Sequence, residues 1–162
     1  MMEQTIYDAY VKILREELVP AMGCTEPIAV AYAAALASKT LGVMPEAVDI
    51  RVSANIIKNV KSVVVPHTGG LRGIEAAAAA GIVAGEADAQ LEVLAKVTEA
   101  QIAQMQPYLQ QAKFSVAPSE TDYIFDIQID YETYKPLSSQ KTRERYDGYW
   151  NYIMACILQL LR

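Results

Sequence analysis

The chain has 162 residues, 52% of them apolar and 20% charged, with a net charge of −5 and a pI near 4.9. Such a composition describes one folded domain, or one domain with an appendage, and excludes a disordered chain. The acidic balance and scattered Lys and Arg exclude a nucleic-acid groove, since the one basic group is Lys141, Arg143 and Arg145.

No signal peptide is expected, because Glu3 and Asp8 stand where a basic and then apolar stretch is required. The most apolar segment, Ile28 to Ala37, is too short for a membrane span. Two cysteines, Cys24 and Cys156, show no disulfide-framework spacing. These features predict a cytoplasmic, reduced protein with neither nucleic acid nor membrane as partner.

From Glu3 to Leu18, Ile6, Tyr10, Ile13, Leu14 and Leu18 recur at helical spacing, opposite Asp8, Lys12, Arg15 and Glu16. This predicts an amphipathic helix lying on a core and ended by Pro20. The loop Val19-Pro-Ala-Met-Gly-Cys-Thr-Glu-Pro27 follows, with Thr25 as the expected cap of a second helix and Pro27 in its first turn. Cys24 would then sit at the positive end of that helix, which favours thiolate. The second helix, from about Pro27 to Leu41, is apolar nearly all round, so burial in the middle of the fold is expected.

Val48, Ile50 and Val52 alternate with Asp49, Arg51 and Ser53, a half-buried strand. Ala54 to Asn59 interrupts with polar groups before a second strand, Ser62 to Val65, closed by Pro66. His67-Thr-Gly-Gly-Leu-Arg-Gly73 leads into a third helix, Ile74 to about Ala84, whose alanine run demands close packing. A helix pair is expected over Asp88–Val97 and Thr98–Ala112, with Thr98 and Glu99 as cap and Pro107 kinking or dividing the latter. Strands are expected at Lys113–Val116 and Tyr123–Tyr131. A last helix, Ser139–Leu161, would carry Tyr146, Tyr149, Trp150, Ile153, Ile157, Leu160 and Leu161 on one stripe. The fold class is α+β: alanine-rich buried helices packed on a small mixed or antiparallel sheet.

Three polar clusters interrupt these apolar elements. Cys24-Thr25-Glu26 reads equally as a helix cap with an incidental thiol or as a poised thiol. Asn55, Lys58 and Asn59 read as a hairpin turn when taken alone. The Thr68-Gly69-Gly70 turn entering a helix suits an anion such as a carboxylate, although it has neither Walker A nor dinucleotide spacing. His67 is the one histidine, which leaves no His-based zinc site. Lys96, Glu92 and Glu99 read as a solvated helix face.

In order along the chain, Val19-Pro-Ala-Met-Gly-Cys-Thr-Glu-Pro-Ile-Ala-Val, Val52-Ser-Ala-Asn-Ile-Ile-Lys-Asn and Val65-Pro-His-Thr-Gly-Gly-Leu-Arg-Gly form a series. This series, over about residues 10 to 100, resembles the N-terminal part of the cysteine desulfidase family, related to the α-chain of iron–sulfur L-serine dehydratases. The resemblance implies a [4Fe–4S] cluster, no pyridoxal phosphate, and α,β-elimination of a small L-amino acid, cysteine or serine, to pyruvate, ammonia and sulfide or water. It makes Cys24 a cluster ligand, Lys58 an acid/base or carboxylate contact, and Thr25, Glu26, Asn55, Asn59, Thr68, Gly69 and Gly70 the substrate pocket.

The family pattern requires two further cluster cysteines downstream. Cys156, in Tyr152-Ile-Met-Ala-Cys-Ile-Leu, matches no cluster motif and reads as a buried core residue. The resemblance fades from about Tyr131. Residues 1–134 are therefore the desulfidase-like domain and 135–162 a divergent helical tail, as in a truncated or frameshifted gene or an N-terminal piece. Such a chain is expected to be inactive alone. The competing expectation is a non-catalytic remnant that keeps a small-carboxylate pocket and forms a homo-oligomer through the C-terminal helix.

Overall fold

The computed structural model describes residues 3–18 and 23–132. These form α1 (Gln4–Glu17), α2 (Thr25–Leu41), β1 (Ala47–Val52), α3 (Ala54–Val60), α4 (Ile74–Ala84), a 3₁₀ turn (Ala87–Glu92), α5 (Glu99–Gln111), β2 (Lys113–Pro118) and β3 (Ile127–Glu132). The class is the expected α+β.

β1 is the central strand of a mixed sheet, in the order β2-β1-β3. It pairs in parallel with β2, setting Val48 against Phe114 and Ile50 against Val116. Its other edge pairs antiparallel with β3, setting Ile50 against Ile129. The alternation in the sequence fixes which face is covered: Val48, Ile50 and Val52 are buried, and Arg51 is exposed beside Asp49. The parallel step from β1 to β2 needs a long crossover, which α3, α4 and α5 supply.

α2 and α4 form the core on that face. Pro27 to Ala35 is buried without a break, as is Ala76 to Ala80, because alanine and glycine let the backbones approach. A Cβ on Gly81 would land on the Ala31 backbone, and one on Gly85 would meet Ala35. Two contacts that each advance by four residues mean that the helices run parallel. α2 ends at Gly42, whose φ of 73° is open to glycine and whose N–H bonds the Ser38 carbonyl. The Tyr131 hydroxyl donates to the Ala34 carbonyl at 2.7 Å, tying β3 to α2.

Several expectations are corrected. α1 forms, but its apolar stripe does not lie on the core: Ile6, Tyr7, Tyr10, Ile13, Leu14 and Leu18 are 46–71% exposed. Residues 54–60 are helix rather than a hairpin turn, because Ile56 and Val60, four apart, both reach the core. The segment 62–65 makes one isolated bridge, Val64 with Arg72, and is no strand of the sheet. In place of a first helix over 88–97 there is a 3₁₀ turn broken at Gln90, with φ 51°. Thr98 caps α5 as expected, but its partner in the capping box is Gln101 and not Glu99. Pro107 lies inside an undivided α5. β3 begins at Ile127, because residues 119–126 form a loop instead. The predicted Ser139–Leu161 helix, Cys156 and the 135–162 tail lie outside the described residues.

Candidate functional site

The parallel packing of α2 and α4 has a consequence for the three polar clusters. Counting back from the Ala31–Gly81 contact, Thr25 is six residues away and Ile74 seven. At about 1.5 Å per residue, the two helices start level to within about one residue. Their N-termini, with unpaired N–H groups and positive dipole ends, therefore share one end of the fold. The Cys24 cluster opens α2 and the 66–73 loop opens α4, so two of the clusters meet there.

The Cys24 cluster is held by Glu26. Its Oε2 accepts from the Cys24 thiol at 3.2 Å and from the Thr25 hydroxyl at 3.2 Å, while its Oε1 accepts from Asn59 Nδ2 at 3.0 Å. The last contact brings α3 to the start of α2. The Cys24 and Thr25 hydrogen bonds, the Asn59 amide and Glu26's own backbone N–H hold the carboxyl below the usual range, the thiol contributing most. The same contact acts on the thiol in the opposite sense. Partial burial, then the hydrogen bond and negative charge of Glu26, raise Cys24 above its ordinary value. The sequence expectation of a thiolate-favouring site is thereby reversed, because partial burial together with a carboxylate at hydrogen-bond range outweighs the helix end. Thr25 is also not the cap: Cys24 occupies that position without a side-chain cap hydrogen bond, and Thr25 is the first helical residue.

α3 presents Asn55 and Asn59 four residues apart on one helical face, both half-buried, with Lys58 exposed beside them. Neither Asn55 nor Lys58 makes a hydrogen bond or ion pair among the described residues. The start of α3 is fixed from across the sheet. Ser53 N–H donates to the Asp126 carbonyl at 2.9 Å and the Ser53 hydroxyl to the Ile124 carbonyl at 2.8 Å. Asp126, 1% exposed, accepts at one oxygen from Thr121 and Gln128. Sequence reasoning misses the tie between Ser53 and the loop at Ile124 and Asp126, because these partners lie 71 or more residues from Ser53 and no local pattern marks the pairing.

The 66–73 loop is closed by Val65 N–H to the Leu71 carbonyl and Gly73 N–H to the Val63 carbonyl. Gly69 and Gly70 turn with φ of 70° and 98°, and His67 joins them at 57°. The His67 Nδ1 lies 2.8 Å from the Leu94 carbonyl, so it carries the proton and leaves Nε2 bare in the neutral ring. Thr68, 3% exposed, donates its hydroxyl inward to Val65. Within this loop Gly69 and Gly70 are exposed, Gly69 lying against Ile102 and Gly70 unobstructed, whereas Thr68 serves the turn. A Cβ on Gly23 would lie 3.5 Å from Pro66, which sets this loop against the Cys24 loop. The structure thus brings Cys24, Thr25, Glu26 and Asn59 together, with the Thr68-Gly69-Gly70 loop alongside. A cleft of about 550 Å³ opens at the far, C-terminal ends of α2 and α4, and none of these residues lines it.

A cluster held by three thiolates does not fit the donors of this chain. The sequence has two cysteines, and among the described residues no group of three His, Cys, Asp or Glu side chains is placed to hold a metal. Among the described residues no helix is long and apolar enough to cross a membrane.

No protein-family model and no solved structure matches the chain. It is 57% identical over 123 residues to a UPF0597 protein of Desulfitobacterium hafniense (strain Y51), covering 76% of this chain and 29% of that protein. A UPF0597 protein of Treponema denticola is 54% identical over 108 residues, with 67% and 25% covered. One of Finegoldia magna is 46% identical over 120 residues, with 74% and 29% covered. These names state no activity, and none refers to a desulfidase or dehydratase. The chain spans less than a third of the length of these curated relatives, and over the stretch it shares with them its homologues are UPF0597 proteins.

Proposed function

We propose that this chain is the N-terminal portion of an iron–sulfur lyase that eliminates the β-substituent of a small L-amino acid, cysteine or serine. The single observation behind this reading is the Glu26 carboxylate, which gathers Cys24, Thr25 and Asn59 at the shared start of α2 and α4. Motifs separated by 33 residues would have no need to meet there if each were only a cap or a turn.

In this reading the substrate carboxylate lies over the two helix N-termini, where backbone N–H groups and the helix dipoles favour an anion. The exposed backbone at Gly69 and Gly70 lets it approach. Glu26, ionised across the neutral range, faces the substrate ammonium, and Asn55 and Asn59 supply amide contacts to fix its orientation. Lys58 stands on the same helix as a carboxylate contact or proton carrier. The reaction itself balances simply. A base takes the α-proton, the C–H electron pair forms the Cα–Cβ double bond, and the β-substituent leaves with its bonding pair. The resulting enamine tautomerises and is hydrolysed to pyruvate and ammonia.

The donors of this chain do not complete a cluster, and no step is assigned to one. In this reading Cys24 is its contribution, and the other ligands belong to the part of the relatives' length that the match leaves uncovered. The test is anaerobic assay of a polypeptide in which this chain is joined to that remaining length from the Desulfitobacterium protein. Equal release of pyruvate and sulfide from L-cysteine, or pyruvate and ammonia from L-serine, supports the reading. No product from either amino acid, with iron and sulfide bound to the protein, refutes it.

A further inference from the structure

Ser53 is a buried polar residue that does not do what its place in the sequence suggests. It stands at the N-cap of α3, where a serine hydroxyl ordinarily turns back to accept from the backbone N–H of the second or third helical residue. Its carbonyl does start the helix, accepting from Ile57 N–H at 3.1 Å, but its side chain makes no capping bond. The hydroxyl donates instead to the Ile124 carbonyl at 2.8 Å, and the Ser53 N–H to the Asp126 carbonyl at 2.9 Å. Ser53 is 5% exposed, so little water reaches that hydroxyl to compete.

We propose that Ser53 is a positioning residue of the candidate site, its hydroxyl setting α3 so that the Asn59 amide meets Glu26. α3 has seven residues, about two turns, too few to hold a place by helical stability alone. Ile56 and Val60 seat it on the core, but apolar burial is non-directional and does not stop the helix from sliding or rolling. Direction comes from hydrogen bonds near its two ends: Ser53 to the 119–126 loop, and Asn59 Nδ2 to Glu26 Oε1 at 3.0 Å. Asn59 lies six residues beyond Ser53, about 9 Å along the axis, so a shift at the start is carried to it. A displacement of about 1 Å takes this contact outside hydrogen-bond range.

The loop that receives Ser53 is itself braced. Ser119 N–H donates to the Val52 carbonyl at 2.9 Å, and buried Asp126 accepts from Thr121 at 2.7 Å and Gln128 at 3.1 Å. The side chain thus gives up a local cap for a distant anchor, which is how supporting residues hold a site in place. That Asn59 serves a substrate rests on the lyase reading; that Ser53 places Asn59 does not.

The Asn59 side-chain amide reports the placement by nuclear magnetic resonance of the isotope-labelled full chain. Its paired proton signals are assigned by their loss in Asn59→Ala, and Glu26→Gln gives the position they take beside a neutral side chain. Ser53→Ala is expected to move them at least halfway to that position. Ser53→Cys, which fills the same space with a weak donor, moves them in the same direction and is read where the alanine variant does not fold. Tyr108→Phe removes another buried hydroxyl-to-carbonyl bond, to Pro45 at 2.9 Å, and is expected to leave them in place. Asn59 signals unmoved in a folded Ser53 variant overturn the proposal. Equal movement in Tyr108→Phe also overturns it, because the change is then general loosening. No turnover is measured, so failure of the lyase reading and failure of this proposal are told apart.

Discussion

Asn59 Nδ2 donates a 3.0 Å hydrogen bond to Glu26 Oε1, and through it the short helix α3 is tied to the start of the buried helix α2. The other oxygen of the same carboxylate holds the Cys24 thiol. One side chain thus anchors the polar face of α3 and, together with partial burial, favours the protonated thiol.

Glu26→Gln removes the negative charge beside Cys24 and is expected to lower the thiol's pKa toward the ordinary range. Alkylation of Cys24 proceeds through the thiolate, so at a fixed pH near neutrality it should be faster in the variant. The pH–rate profile of Cys24 modification, read by mass spectrometry so that Cys156 is counted separately, should shift to lower pH. An unshifted profile would mean that Glu26 does not govern the thiol.

The same carboxylate contributes to stability with a definite sign. Its pKa is lower folded than unfolded, so the contribution is full above the unfolded value of about 4.3 and is lost as pH falls through the folded value. Cys24 has the opposite linkage: raised on folding, it contributes below the unfolded thiol value of about 8.5 and loses that contribution as pH rises through the folded one. Urea midpoints measured from acid to alkaline pH should fall less steeply at both ends in Glu26→Gln than in the unmodified chain.

The close approach of α2 and α4 predicts that Gly81→Ala is among the costliest small substitutions in the chain. Its Cβ meets backbone rather than a side chain that can turn away, so the helices must separate. Overpacking of this kind costs about 1–3 kcal/mol, more than the up to about 1 kcal/mol that alanine gains in helix propensity. Because the separation also disturbs the level helix starts, Gly81→Ala should shift the Cys24 alkylation profile without touching Cys24. Denaturant unfolding, with that profile as second readout, checks both.

Two smaller costs calibrate the fold away from the site. Thr98→Ala removes the capping box of α5 and should cost about 1 kcal/mol. Tyr108→Phe leaves the buried Pro45 carbonyl without its 2.9 Å donor and should cost about 1–3 kcal/mol, while the T-shaped contact with Phe114 remains. Chemical denaturation of each variant gives these values.

The elements that sequence patterns describe well are those whose burial is periodic or complete. Val48, Ile50 and Val52 mark β1 by alternation, and the alanine runs mark α2 and α4 as buried, since little else fits between backbones so close. The failures have a common cause in tertiary context. Asn55 to Asn59 is polar enough to pass for a turn, and only the burial of Ile56 and Val60 makes it a helix. Val63 to Val65 has strand propensity but pairs only through Val64, because the loop after it folds back to start α4. At the site, the motif residues are legible as clusters, but their electrostatics are not. The macrodipole argues for a Cys24 thiolate, whereas partial burial and the turn of the Glu26 side chain toward the sulfur, neither of which a residue pattern specifies, argue for the thiol. The tie of Ser53 to Ile124 and Asp126, which fixes α3, has no local pattern to mark it.

The account stands most directly on the products formed when this chain is joined to the remaining length of its Desulfitobacterium relative and assayed without oxygen. It predicts pyruvate and sulfide in equal amounts from L-cysteine, or pyruvate and ammonia from L-serine, with release abolished by Cys24→Ser and reduced by Asn59→Ala. Undiminished release from the Cys24→Ser protein, or no product from either amino acid in a protein that carries iron and sulfide, would contradict it.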